Sequence, residues 1–400
     1  MNILFVNNSE INPLNSGIQR ITAILAQGFT AKGLNCYGAY FEKSNSSEEH
    51  LFIEKIKLDF TPESSRQLNH FIRKNQIQRV IVQECWPLKK LNIVHQALIS
   101  VPECRLFYCY HNKPGKEFVR PSFSVECYRF IHGPRKIKAL KKTITALLPA
   151  FLYTHLIQKK VQRDYSFICQ VADKIVLLSE SYIPVFLRLA NHTETDQKKC
   201  IAIGNCLSFR QGLSPNALSD KQKEVLIVGR LSDRQKRIST ALKIWQKIEK
   251  TGKFKDWKLK IAGTGPDEKY YHHLVRKLKL KQISFEGKQN PQPYYQQASV
   301  YMLTSAYEGF PLVLTESLQM GTVPIAFDTF SSIHDVLRQH ENGIIIPSDD
   351  QNEFVSQLCN LMNFPDKRNK MAFNGLESCN KFSEENIIQI WMNHLQEPSE

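Results

Sequence analysis

The chain predicts an α/β fold of doubly wound parallel sheets in two domains. Three features lead there. Short apolar, β-prone runs alternate with helical periodicities along the whole chain, and glycine-containing polar loops fall where the runs end. The 400 residues, 42% of them hydrophobic, suffice for two sizeable cores.

Taken in order, residues 2–7 (Asn-Ile-Leu-Phe-Val-Asn) read as a strand; the run is too short for an export signal and lacks a basic start. Asn15-Ser16-Gly17 follows and opens an amphipathic helix marked by Ile18, Ile21 and Leu25. Gly17 sits where backbone can approach an anion, or where the chain makes a plain tight turn. Further strands are predicted at 35–40, 79–83, 105–110, 174–178 and 199–203, with His111 directly after the third of these. Residues 205–217 contain Gly, Pro, Ser and Asn and read as a linker. The expected domains are 1–208 and 218–382. A final helix at 383–400 carries Ile387, Ile390, Trp391 and Leu395, starts with Ser383 and Asn386 in a capping-box spacing, and is expected to pack back on the first domain.

Chemistry-bearing residues concentrate in the second half. Residues 224–229 form a strand followed by Arg230 and, six residues on, Lys236, so two cations can converge on a diphosphate. Leu259 and Ile261 precede the turn Gly263-Thr-Gly265-Pro266, and the strand at 283–287 is followed by Lys288. The strand at 300–304 gives way to a polar loop with Glu308, and Pro311 should open a helix that carries Glu316 and stops at Gly321. Each loop lies at the carboxyl end of a parallel strand, the ligand edge of an open α/β sheet. Two carboxylates eight residues apart around a helix start can accept sugar hydroxyls, while the helix N–H groups favour a diphosphate. Surface glutamates without a ligand remain the plain alternative.

These pieces together resemble the retaining nucleotide-sugar glycosyltransferases of family 4, in particular bacterial polysaccharide-biosynthesis members. The matching residues are Val228-Gly-Arg-Leu231 with Lys236, Ile261-Ala-Gly-Thr-Gly-Pro266, Phe285-Glu-Gly287, Ser305-Ala-Tyr-Glu-Gly-Phe-Pro311 with Glu316, and Glu341-Asn-Gly343 before Ile346-Pro347. The resemblance implies the GT-B fold, two Rossmann-like domains facing a central cleft. It implies that Arg230 and Lys236 neutralise the diphosphate, Glu308 contacts the transferred sugar with His111 near it, and Glu316 holds the ribose. Gly309, Phe310 and Pro311 would shape the sugar pocket and Leu314 and Thr315 lie against the nucleotide. Gly263, Gly265 and Lys288 would border base and ribose, and Gly17 would close over the phosphates. Ser331-Ser-Ile333 departs from the family, where a pair of glycines is common. A GT-B epimerase or phosphorylase, or a non-catalytic glycan- or lipid-binding protein on the same scaffold, are the competing classes.

No cofactor or metal is expected: the sequence has no Asp-X-Asp triplet and no His/Cys cluster, and its ten cysteines lack any C-x-x-C spacing, as in a reduced cytoplasmic protein. Charge is divided unevenly. Residues 1–215 hold 29 Lys and Arg against 16 Asp and Glu, and residues 216–400 hold 24 against 22, so the first half should meet an anionic acceptor. Its densest part, 134–163, has Arg135, Lys136, Lys138, Lys141 and Lys142 before an apolar stretch, then Lys159, Lys160 and Arg163. The stretch is shorter than the roughly 20 residues of a membrane span. It suits a helix lying on an anionic membrane surface, peripheral on the inner face, or an ordinary helix pair with a solvated basic side. Nucleic acid is not expected, since no recognisable binding module is present and the second half is near neutral.

Overall fold

Two all-parallel sheets carry the computed structural model, which describes residues 1–13, 16–44, 50–83, 88–192 and 194–397. The first sheet contains β1 (Asn2–Ser9), β2 (Asn35–Glu42), β3 (Lys55–Lys57), β4 (Arg79–Val82), β5 (Arg105–Tyr110), β6 (Lys174–Leu177) and β7 (Cys200–Ala202), in the order β3-β2-β1-β4-β5-β6-β7. The second contains β8 (Gln222–Val228), β9 (Lys258–Ala262), β10 (Ile283–Gly287), β11 (Ala298–Leu303), β12 (Val323–Phe327) and β13 (Ile344–Ile346), in the order β10-β9-β8-β11-β12-β13. Each sheet reverses its winding beside its first strand, between β1 and β4 and between β8 and β11, the crevice where open α/β sheets bind ligands.

The strands form because both faces of a parallel sheet are covered, which demands unbroken apolar runs. Every residue of β11 and β12 is buried. Central β8 pairs Val225 with Leu259 and Ile227 with Ile261, stacking apolar side chains across the register. The sequence reading did not name β3, β12 or β13. Two of these are three-residue edge strands, and Pro324 interrupts the third.

The chain forms two compact units: Met1–Pro114 with Lys159–Ser208 and Phe382–Glu400, and Gly115–Gln158 with Phe209–Lys381. The last helix, Glu384–Gln396, belongs to the first. The N–H of Asn386 donates to the Ser383 hydroxyl at 3.3 Å, and Trp391 packs against Phe29 and Phe107 at 6.1 and 6.4 Å between ring centroids. A Cβ at Gly28 would overlap the Ile388 side chain, so this glycine sets how closely the Gly17–Ala31 helix approaches the last one.

The basic segment 134–163 follows the expected first-domain assignment only from Lys159 onward, because Gly115–Gln158 groups with the second unit. The cause lies in the Phe123–His132 helix. Val125 enters the second unit's core, Tyr128 packs on Tyr270 at 5.5 Å, and Arg129 pairs with Asp267 at 2.5 Å.

Candidate functional site

In the second unit the loops after β8, β9 and β11 meet at the switch point. Gly229, at φ +151°, and Gly263, at φ +141°, pass so closely that a Cβ on Gly263 would overlap the Gly229 carbonyl. A Cβ on Gly265 would likewise overlap the Leu231 backbone. The N–H of Leu231 donates to Thr264 O at 3.0 Å and that of Asp267 to Leu231 O at 3.1 Å. Backbone crowding alone therefore requires Gly263 and Gly265, two residues that the family resemblance places beside base and ribose.

Beyond Gly229, Arg230 is exposed and a four-residue helix, Asp233–Lys236, brings Lys236 back over the glycine. Lys236 Nζ lies 2.7 Å from Glu308 Oε1. The same oxygen accepts from Ser305 Oγ at 2.6 Å, and Oε2 accepts from Gln235 Nε2 at 3.2 Å. Thr304 Oγ1 donates to the carbonyls of Lys236 and Arg237 at 3.0 and 3.1 Å, and the N–H of Ala306 donates to Gln235 O at 2.7 Å. The lysine loop and the glutamate loop are thus fastened by backbone as well as by charge.

Glu316 is buried in the Leu312–Gln319 helix. Glu308 and Glu316 both act on Tyr301 of β11: burial drives its phenol well above the usual range, and the two carboxylates push it further. Both carboxylates therefore lie near the Tyr301 hydroxyl, which donates to Val228 O at 3.2 Å. Pro311 precedes this helix instead of opening it, with ψ at 84°, outside the helical region. Leu314 and Thr315 have no exposed surface, and the Thr315 hydroxyl donates to Leu312 O at 2.9 Å, so neither side chain is presented to a ligand. Gly309, Phe310 and Pro311 are buried, whereas Lys288 is exposed after β10. The departure at Ser331-Ser-Ile333 has a local reason, since the buried Ser332 hydroxyl donates to Gly309 O at 2.9 Å and steadies the glutamate loop.

A second network escaped sequence reasoning. Asp267 Oδ2 accepts the N–H of Asp233 at 2.9 Å, its other oxygen pairs with Arg129, and Arg129 also pairs with Glu126 at 2.7 Å. Asp233 in turn accepts from Ser239 N, Ser239 Oγ and Tyr271 OH at 2.9, 2.9 and 3.2 Å. Burial pushes the Asp267 carboxyl up, and the Asp233 N–H and Arg129 oppose that rise. The helix carrying Lys236 is anchored through this buried acid pair.

The first unit holds the remaining two candidates. His111 Nε2 is 2.6 Å from Gln83 Oε1 at the carboxyl ends of β5 and β4. Gly17 starts a helix whose cap is the Ser16 hydroxyl, accepting from Gln19 N at 3.3 Å. Asn15 and Cys85 lie outside the described residues. Among the described residues no group of three or more His, Cys, Asp or Glu is placed to hold a metal, and no helix is long and apolar enough to cross a membrane.

Residues 212–378 match the family model of glycosyl transferases group 1. Over 230 residues the chain is 27% identical to the amylovoran biosynthesis glycosyltransferase AmsD of Erwinia amylovora, covering 55% of this chain and 61% of that protein. Over 194 residues it is 27% identical to an alpha-1,4-N-acetyl-D-galactosaminyltransferase of Campylobacter jejuni whose name specifies a PP-undecaprenol-linked saccharide, covering 48% and 53%. The chain spans little more than half the length of these relatives. HepE of Anabaena, solved with UDP-glucose, superimposes with a TM-score of 0.74 at 14% identity over 99% of both chains. The fold is GT-B, and the likeness to group 1 glycosyl transferases lies in the second unit.

Proposed function

We propose, from that likeness as premise, that the protein moves a hexosyl group from a nucleotide diphosphate sugar to a hydroxyl of a lipid-linked saccharide in cell-surface polysaccharide synthesis, with anomeric configuration retained. The observation that carries this reading is the Lys236–Glu308 pair, 2.7 Å apart at the switch point of the second sheet. An ammonium has three N–H donors, so Lys236 can keep Glu308 and still donate to a phosphate oxygen. The exposed Arg230, next to the glycine that Lys236 covers, supplies a second, fork-shaped donor. Charge grows on the departing diphosphate as the sugar becomes oxocarbenium-like, and cations already in place lower that barrier without reorganising. Glu308 would orient the hydroxyls of the sugar and Glu316 those of the ribose. The roles of His111, Gly17 and Lys288 rest on family resemblance alone.

The donor class is supported by the UDP-glucose bound to HepE, and the acceptor class by the Campylobacter relative's name and the positive excess of residues 1–215. A lipid-linked acceptor places the enzyme in the cytoplasm, peripheral on the inner membrane face. The test is a thermal-shift series with nucleoside diphosphates, where a ligand at 100 times its Kd should add about 2.7 kcal/mol. Arg230→Ala should keep the fold and lose turnover. No shift with any nucleotide, or wild-type turnover in that variant, refutes the proposal. A strict requirement for a divalent metal refutes the assignment of diphosphate neutralisation to Arg230 and Lys236.

A further inference from the structure

The Lys136–Leu147 helix inverts the usual arrangement of a surface helix. Ile137, Leu140, Ile144 and Leu147 recur at three- and four-residue intervals and so form one stripe along it. Such a stripe normally faces a core, yet Ala139 is the helix's one buried residue, and Ile137 and Leu147 are 75% and 66% exposed. The following Ala150–Val171 helix continues the pattern, with Phe151 76% and Leu156 62% exposed. Among the described residues, ten of the sixteen exposed large hydrophobic side chains lie between Phe123 and Leu156. That concentration separates the face from the scattered apolar residues of any protein surface.

Charge identifies what the face would meet. Lys136 and Lys141 flank the stripe on the helical repeat, and Arg135 and Lys138 are exposed nearby. From residue 118 to 163 the sole acid is Glu126, which is buried and paired with Arg129. An apolar stripe bordered by lysines and lacking acids complements a layer of phosphate headgroups above hydrocarbon, whereas the cores of protein interfaces are depleted of lysine. Lysine stems can lie along the apolar side while their ammonium groups reach the headgroups. The element is also held in place: Val125 and the Arg129–Asp267 pair fix the preceding helix to the second unit.

We propose that the Lys136–Leu147 helix and the first turns of the Ala150–Val171 helix dock on an anionic lipid bilayer. Ile137, Leu140, Ile144, Leu147 and Phe151 enter the acyl boundary, and Lys136, Lys138 and Lys141 meet the phosphates. The inference deepens the lipid-linked acceptor reading and rests on it for its purpose, while binding itself is measured without any transfer reaction. It also attaches the membrane contact to the unit that holds the Lys236–Glu308 pair.

The experiment is vesicle flotation of the full chain with phosphatidylcholine alone and with phosphatidylglycerol added. The protein should float with the anionic vesicles only, and less as salt rises. Each lysine changed to glutamine should weaken partitioning about fivefold, and the triple Lys136→Gln, Lys138→Gln, Lys141→Gln variant on the order of a hundredfold. Leu147→Glu with Phe151→Glu should abolish flotation while leaving the melting temperature unchanged, since both side chains are already in water. Wild-type protein that stays unbound, or a Leu147→Glu, Phe151→Glu variant that floats normally, overturns the proposal. So does a concentration-dependent dimer abolished by the same pair of substitutions, which would give the face to a second copy. Flotation without nucleoside-diphosphate binding would leave this surface standing and the transferase reading fallen; nucleotide binding without flotation would do the reverse.

Discussion

Removing Arg129 tests how the second unit holds its lysine loop. Its guanidinium pairs with Asp267, a carboxylate only 2% exposed, and Asp267 binds the N–H of Asp233, itself buried. Arg129→Met leaves two buried acids in contact with one fewer counter-charge. Breaking one partner of a buried pair costs about 3–5 kcal/mol; because the Arg129 side chain is 28% exposed, water recovers part of that, and about 2–3 kcal/mol is expected. The loss should depend on pH with a definite sign. Burial already raises the Asp267 carboxyl above its unfolded value, and loss of Arg129 raises it further. Between the unfolded and folded values the native state then binds more protons, so the deficit is full near neutrality and shrinks as pH falls and Asp267 is protonated. Urea unfolding of both proteins from neutral to mildly acid pH measures this. Adding Asp267→Asn to Arg129→Met should return most of the lost stability, a coupling that independent sites would not show. A neutral-pH difference under about 0.5 kcal/mol, or one that does not change with pH, refutes the account.

Two further outcomes follow from the second unit. Gly263→Ala should destabilise by at least about 2–3 kcal/mol, because φ is +141° and the new methyl would strike the Gly229 carbonyl; Gly252→Ala, at φ +69° with open space around it, should cost only about 1–2 kcal/mol in the same unfolding assay. Lys221 donates to Tyr295 O, Met320 O and Thr322 Oγ1 at 2.7, 2.6 and 3.0 Å, while burial pushes its amine down to about 7. The unfolded chain therefore binds the extra proton between pH 7 and its own value, so stability from this group rises with pH above about 7; Lys221→Met should flatten that rise and, by leaving acceptors unpaired, cost about 1–3 kcal/mol.

What could be read from the sequence was what local pattern encodes. β5 and β10 match their expected limits because buried parallel strands are written as unbroken apolar runs between turn residues. β3 escaped because Lys55-Ile-Lys57 offers a single apolar residue, and β13 because its three isoleucines make a short run next to a turn, although the equally short edge strand β7 was read at 199–203. Glu308 and Lys236 stood out through their loop positions, but the donors that complete the glutamate's shell, Ser305 and Gln235, belong to two loops whose meeting depends on the sheet order. Arg129 and Asp267 were still less visible, since a long-range pair leaves no trace at either end. The same blindness put the basic helices with the first domain: their sequence neighbours are β5 and β6, but their packing partners are Tyr270 and Asp267.

The pairing of Lys236 with Glu308 also bears on how the site could be ready before a donor arrives. An isolated lysine beside Gly229 would be free to swing into solvent, and an isolated buried Glu308 would pay to stay ionised. Held together, with Ser305 and Gln235 occupying the other carboxylate lone pairs, each fixes the other's position. A donor then needs only to use the remaining ammonium protons and exchange one or two hydrogen bonds at the carboxylate, instead of ordering two flexible side chains at once. The entropy of positioning has been met during folding, by the same crossing of loops that forces glycine at 263. On this reasoning the backbone contact between the β8 and β9 loops would support the proposed transfer as directly as the charged residues, although none of its atoms would touch the substrate.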